Sequence, residues 1–497
     1  MASFVLVPPE TQSLLTSNDP PLETQIQTIE DFILAGSTRL AALDDQIESQ
    51  RACSTATVGL ITERDALDQS VREHNAVLSP IRRIPTEILF HIFLLTLPHT
   101  KRVPGVMGRK QNIPAPPWRL GHVCKHWRDC ALAYRRLWST IHVDTVVTTS
   151  ETYDVLALET QLSRSSYSLL HVSFRWPAYE SGSHSRLCAL ARALVPSCDR
   201  WLTAKLSWTP DDHSMVEILS GIRGRLPVLK QIEFISCGHG DDPDECDVLT
   251  NTPSLREVIL TDIKYNIPSL PISAPWAQIT CLRANFGFRY LLKILRASPN
   301  LEDCGLSLVE GSSPPSVPTL LADLPRLRKL CVTDTRLLRC LTTPSLQYLG
   351  LLGGPLDDVL PFISRVGCRL AGLSAHHRCH SVSLILLLKS LPTLSSLSVD
   401  MNNDPLLTAL TACDSLPVIC PDLQSLSLSL DVPARTTTLS DMLESRWRTS
   451  PLKSVHVFDY SIPGIQVLPE RLQMLKNQGL KIVLNRTVSF DPDMRLS

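Results

Sequence analysis

A chain of 497 residues with 48 Lys and Arg against 49 Asp and Glu carries a net charge of −1. That length excludes one small domain, and that balance removes the bulk electrostatic pull that draws proteins to nucleic acid or an acidic membrane. Hydrophobic residues at 43% and charged residues at 20% exclude a disordered chain, and aromatics at 5% require an aliphatic core. The 15 Cys are odd in number and scattered, which reads as reduced thiols in the cytoplasm and/or nucleus. Residues 1–10 lack the basic start and apolar length of a signal peptide, and the longest aliphatic run, 384–388, is far short of the ~18–20 residues of a membrane span.

Residues 1–21 are rich in Pro, Ser and Thr without periodicity and are expected to be a disordered tail. Residues 22–78 have helical spacing. Leu22, Ile26, Ile29 and Ile33 step by three and four, and Leu40, Leu43 and Ile47 continue the stripe. Leu60, Leu67, Val71 and Leu78 resume it after a Ser/Thr-rich break. Either a coiled coil or a helical hairpin packed on its own chain fits, so self-association through 22–78 is left open.

Residues 79–143 hold the densest motifs. Ile84-Pro85-Thr86-Glu87-Ile88-Leu89 opens a helix, with Pro85 suited to its first turn, and Ile88, Leu89, Ile92 and Phe93 form an apolar stripe. A polar insertion at 99–116 follows. Then come Pro117-Trp118-Arg119-Leu120-Gly121, Val123-Cys124-Lys125-His126-Trp127-Arg128 and Leu137-Trp138. This stretch resembles an F-box, most closely the expanded F-box family of mushroom-forming fungi. It departs from the pattern in Ile84, where Leu is commoner, and in the long insertion. The resemblance implies a three-helix unit that docks on a Skp-type adaptor and, through it, a cullin. Carried over residue by residue, Ile84, Pro85, Ile88, Leu89, Ile92 and Phe93 would face the adaptor. Val123, Cys124, Trp127 and Trp138 would close the same groove or hold the helices together.

From 144 to 490 a phrase recurs: a Pro, then L-x-x-L-x-L with Ile, Val or Phe substituting. It starts clearly at Leu229, Leu255, Leu327, Leu346, Leu394 and Leu423. Weaker copies start at Leu169, Trp201, Ile279, Leu301, Leu370, Leu452 and Leu480, giving a step of about 26 residues. Apolar positions two apart point to one side of a short strand, and the residues between point to the other. Helical text lies between the phrases at 185–194, 214–222, 290–295, 357–363 and 471–476. The phrases resemble leucine-rich repeats, which implies a curved solenoid with parallel strands; an irregular α/β domain is the other reading. The usual Asn or Cys nine places along survives only as Cys237 and Asn402, so other groups must satisfy the turns. The alternation puts Gln231, Glu233, Glu257, Lys329, Tyr348, Ser396, Ser425 and His456 on the ligand-facing side, with Ile259, Cys331, Gly350, Ser398, Ser427 and Ser454. That surface lacks the basic and aromatic interleaving of single-strand nucleic-acid binders and suits a protein ligand.

The expected fold class is therefore α+β overall. It comprises an N-terminal helical or coiled-coil segment (22–78), a three-helix F-box (79–143), a C-terminal α/β leucine-rich-repeat-like curved solenoid (144–490) and a tail (491–497). His376-His377-Arg378-Cys379-His380 lacks a second ligand pair at zinc spacing and reads as a polar loop. His122, Cys124 and His126 alternate inside the F-box-like motif; on a helix His122 and His126 could share a face but Cys124 would not, so a metal site is not expected. No phosphate loop or G-x-S-x-G elbow occurs, so no metal, cofactor or catalytic residue is expected. The expected function is a non-catalytic substrate receptor of an SCF-type ubiquitin ligase, binding an adaptor and a protein substrate but neither nucleic acid nor membrane. The alternative is an F-box and repeat scaffold acting outside the ligase.

Overall fold

The structure is a computed structural model that describes residues 9–49, 54–97, 117–143, 151–175, 184–208, 213–236, 247–262, 273–308, 321–375, 381–400, 404–412, 417–430, 432–459 and 470–485. The insertion at 99–116, the cluster at 376–380, Cys237 and Asn402 lie outside them. The chain divides into two compact units: 1–140 with 160–168, and 141–159 with 169–497. Segments 22–78 and 79–140, distinguished in the sequence, thus belong to one unit.

The first unit is helical. Helix α1 (Gln12–Thr16) follows a 3-10 turn at Pro9–Thr11. The long helices α2 (Glu23–Ser49) and α3 (Ser54–Val77) come next. They pack antiparallel: Phe32 meets the His74 ring at 4.2 Å, and Arg39 pairs with Glu63 at 2.8 Å. Gly36 brings them together, since a methyl group there would overlap Val71. Within the chain α2 and α3 form a helical hairpin. The expected disordered tail differs from the structure at 9–17. Leu14 is buried with Ile29 and Val77. Arg82 Nη1 donates to the carbonyls of Leu14 and Ser17 at 2.9 and 3.0 Å. Thr11 is buried and within 3.3 Å of His74 Nε2, while His74 Nδ1 donates to the Ser70 carbonyl at 2.8 Å. Composition hid this helix because its partners lie far along the chain.

Helix α4 (Thr86–Thr96) starts one residue later than the sequence implied, with Pro85 as its N-cap. The Pro85 carbonyl accepts from the amides of Ile88 and Leu89, both at 3.0 Å. Helix α5 (Lys125–Ala133) is capped by Cys124, whose Sγ accepts from the Trp127 amide at 3.4 Å. Two 3-10 turns, Trp118–His122 and Arg135–Trp138, flank α5.

The second unit is mixed α/β and, among the described residues, is built around a 14-stranded sheet whose strand order is the chain order. Every pairing from Leu170–Arg175 to Lys481–Asn485 is parallel. The register lines up the fourth and sixth positions of each phrase. One ladder runs through Ile232, Val258, Leu282, Cys304, Leu330 and Leu349 and continues to Leu373, Leu397, Leu426, Val455 and Ile482. A second runs two residues on, through Phe234, Leu260, Ala284, Leu306, Val332 and Leu351. The first Leu of the phrase is buried at Leu229, Leu255, Leu327, Leu346, Leu394 and Leu423, as are its substitutes Ile279 and Leu301. Helices link the strands at His184–Leu194, His213–Ser220, Phe288–Ala297, Val359–Val366 and Glu470–Asn477, where the sequence placed them. Helices at Ser381–Lys389, Asp404–Leu410 and Val432–Thr449 were not anticipated. The first is almost continuously apolar and the last opens on β-branched residues, so neither shows a clear helical period.

Main-chain bonds, with side chains reaching back one connection, satisfy the turns. The Lys230 carbonyl accepts from both Arg256 and Glu257, and the Arg256 carbonyl from both Thr280 and Cys281. Gln278 Nε2 donates to the carbonyls of Thr252 and Leu255 at 2.6 and 3.0 Å, and Asn300 Nδ2 to Ala277 at 2.7 Å. The buried Arg446 guanidinium donates to the carbonyls of Leu410, Ile419 and Cys420. Leu330 is fully buried in mid-sheet, so Leu330→Ala is expected to cost about 2–5 kcal/mol, read as a lower urea midpoint with an unchanged slope.

Candidate functional site

Two surfaces, one in each unit, gather the residues singled out in the sequence. In the helical unit, Leu89 and Phe93 of α4 are fully buried in a core with Leu120, Cys130, Ala131, Leu137 and Trp138. Aromatic pairs set this core: Phe93 against Trp127 at 5.1 Å, Phe90 stacked on Tyr134 at 4.2 Å, and Trp118 edge-on to Trp138 at 5.0 Å. Trp138 Nε1 donates to the Ala131 carbonyl at 2.7 Å, which satisfies the one polar atom of a buried indole. The Arg164 guanidinium lies 4.4 Å from the Trp138 ring centre and 4.8 Å from that of Trp118. Gln161 Nε2 donates to the Thr140 carbonyl at 2.9 Å.

A second side of α4, about a third of a turn from the buried one, is also apolar and faces out. Ile88 is 51% and Leu95 73% exposed, with Ile92 half-buried between them. These three sit at i, i+4 and i+7, one stripe of the helix. Ile81 and Val123 are exposed as well. The six residues expected to face the adaptor and the four expected to close its groove or hold the helices together therefore divide. Pro85, Ile88 and Val123 are exposed, and Ile92 and Cys124 are half-buried. Leu89 and Phe93 instead lie in this unit's own core with Ile84 packed against it, while Trp138 and Trp127 hold the helices together, the second of the two roles expected of them. The correction for Leu89 and Phe93 has a simple cause: a helix with two neighbouring apolar stripes gives its periodicity no single phase. Leu95 and Ile81 were overlooked, although Leu95 continues the i, i+4, i+7 spacing from Ile88.

His122, Cys124 and His126 fall in a 3-10 turn, a cap and a helix in succession. Among the described residues no three His, Cys, Asp or Glu side chains group around a cation position. The described cysteines are free thiols. Burial raises the Cys130 thiol above its ordinary value, partly offset by a hydrogen bond with Thr86. Burial pushes the Cys420 thiol up to about 11, with the Arg446 charge opposing it.

In the α/β unit, Gln231, Glu233, Glu257, Lys329, Tyr348, Ser396, Ser425 and His456 lie on one face of the sheet, half-buried, opposite the apolar ladders. The first half of this face is charged and internally paired. Lys205 Nζ donates to Glu233 Oε1 at 2.6 Å, and Gln231 Nε2 to Glu257 Oε1 at 3.2 Å. Arg283 makes a two-pronged pair with Asp303 at 2.9 and 3.1 Å. Lys205, Arg283 and Asp303 went unnoticed because their phrases, starting at Trp201, Ile279 and Leu301, are the weak copies. The second half is made of small residues. The Tyr348 ring lies across Gly372, where a Cβ would overlap it, and Lys329 Nζ is 5.8 Å from the ring centre.

No protein-family model matches this chain, and no curated protein matches it. Among the described residues, no helix is long and apolar enough to cross a membrane.

Two outcomes check these assignments. Gly372→Ala is expected to displace the Tyr348 ring and cost about 1–3 kcal/mol, read as a lower Tm. Cys420 has a folded value of about 11 against an ordinary 9.0, so its contribution to stability is full below pH 9 and is lost as pH rises towards 11. The difference in unfolding free energy between the wild type and Cys420→Ala should change by about 1.4 kcal/mol per pH unit across that window and stay flat below it.

Proposed function

We propose that this chain is a non-catalytic substrate receptor of an SCF-type ubiquitin ligase, working in the cytoplasm and/or nucleus. Residues 79–143 act as an F-box that docks on a Skp-type adaptor and through it on a cullin. The α/β unit acts as a leucine-rich-repeat-like solenoid whose polar sheet face holds a protein substrate. The observation that carries this reading is α4: it buries Leu89 and Phe93 inward and leaves Ile88 and Leu95 outward. The inward stripe is already used by the unit's own core, so a second apolar stripe left in water calls for a partner to cover it. The Ile84-Pro85-Thr86-Glu87-Ile88-Leu89 and Val123-Cys124-Lys125-His126-Trp127-Arg128 motifs supply the partner's identity. The reading of the α/β unit rests on strands that follow chain order at a repeat-like step, with the phrases from Trp201 to Leu452 burying the same three positions. Such a receptor supplies proximity: substrate and charged enzyme held on one assembly meet at a high effective concentration. It needs no cofactor or metal of its own.

The test is co-purification of adaptor and cullin with the full chain. Ile88→Asp with Leu95→Asp alters only exposed positions, so Tm should stay within a few degrees while adaptor capture falls at least about tenfold, since apolar anchors dominate such interfaces. Leu89→Asp is the contrast: it buries a charge in the core and should unfold the helical unit. Adaptor capture that survives the double variant overturns the reading. Adaptor capture by the wild type without cullin favours the scaffold alternative.

A further inference from the structure

The second half of the polar sheet face has a composition unlike the first. Its floor is Gly372, Ser374, Ser396, Ser398, Ser425 and Ser427, two outward positions from each of three neighbouring strands. Tyr348 stands on the strand before this floor and His456 on the strand after it. Lys329 and Lys481 mark the two ends of the same register line, six strand steps apart. At ~4.8 Å per step the line is ~29 Å long. No carboxylate occupies the first two outward positions of any strand along it; Asp400 comes only at the third position of its strand. Asp303, the neighbour of Lys329 in the preceding strand, is already bound by Arg283.

A second observation points to a ligand. Ser398 lies mid-floor, is 3% exposed, and its Oγ has no hydrogen-bond partner. A buried hydroxyl left unpaired is unfavourable, and rotation about one χ1 bond re-aims it. Small side chains on three adjacent strands also let a foreign main chain approach the sheet closely, which bulky residues would forbid.

We infer that this floor seats one acidic polypeptide segment of the substrate, its main chain on the Ser residues beside the Tyr348 ring and its carboxylates at Lys329 and Lys481. This deepens the proposed substrate role of the sheet face and rests on it. An extended chain covers ~29 Å in about nine residues, so the acidic groups stand about nine residues apart.

The full chain is titrated with three fluorescent peptides. The long acidic peptide is a run of eight serines with a pair of glutamates at each end. The basic peptide has lysines in place of those glutamates, and the short acidic peptide keeps only two serines between its glutamate pairs. The long acidic peptide should bind at least about tenfold tighter than the other two and weaken with added salt, since its anchors are charge pairs. Lys329→Glu and Lys481→Glu should each weaken it several-fold. Ser398→Ala should weaken it without lowering Tm, because it removes a hydroxyl that supports ligand rather than fold. Ser427→Tyr, which fills the floor, should abolish binding. Equal binding of acidic and basic peptides, no binding of any, or indifference to both lysine changes overturns the inference. Adaptor capture by the unaltered chain separates the two proposals: no peptide bound while the adaptor is still captured sinks only this one.

Discussion

A strand in a parallel sheet cannot satisfy its own main chain. Each row of amides and carbonyls along the α/β unit is completed by the next strand, and between strands the carbonyls of Lys230, Arg256 and their successors accept two amides each. This doubled acceptance sets where each strand begins. Side chains alternate with a period of two, so a slip of one residue would put the buried Leu330 outward and Lys329 inward. Register and burial thus enforce one another along the whole sheet.

The polar face inherits its order from that constraint. Residues at matching positions of successive strands stand ~4.8 Å apart, close enough for each to pair with its neighbour or make room for it. Where charges alternate, as at Lys205 and Glu233 or Arg283 and Asp303, the face neutralises itself. Where the chain places Gly350, Gly372 and the serines, it leaves space, and Tyr348 lies into part of it. One sheet therefore presents two chemically distinct stretches without any change of backbone plan.

Much of this was legible in the sequence. The phrases starting at Leu255 and Leu346 keep three apolar positions at fixed spacing, which is enough to place strand, core side and polar side. The resulting face residues, Gln231 through His456, all lie on one face. Single-residue periodicity failed where burial is decided from afar. Thr11 and Leu14 become core only because His74, Ile29 and Val77 meet them. Leu89 and Ile88 are equally apolar, yet Phe93, Trp127 and Trp138 choose the first for the interior. The buried Arg446 reads as a surface cation until the carbonyls of Leu410, Ile419 and Cys420 are seen around it. Burial without a carboxylate partner pushes its guanidinium below the ordinary value.

The return of residues 160–168 to the helical unit has a broader consequence. Arg164 covers the two indoles at 118 and 138, and Gln161 ties down the carbonyl of Thr140. The recognisable motif stops at Trp138, but the piece of chain that seals it is encoded well downstream, after the first strand of the sheet has begun. Gene segments cut at the motif's edge would therefore carry an unroofed bundle. Recombination that keeps these helices intact must carry the chain through residue 168, and so takes the first strand of the sheet with it.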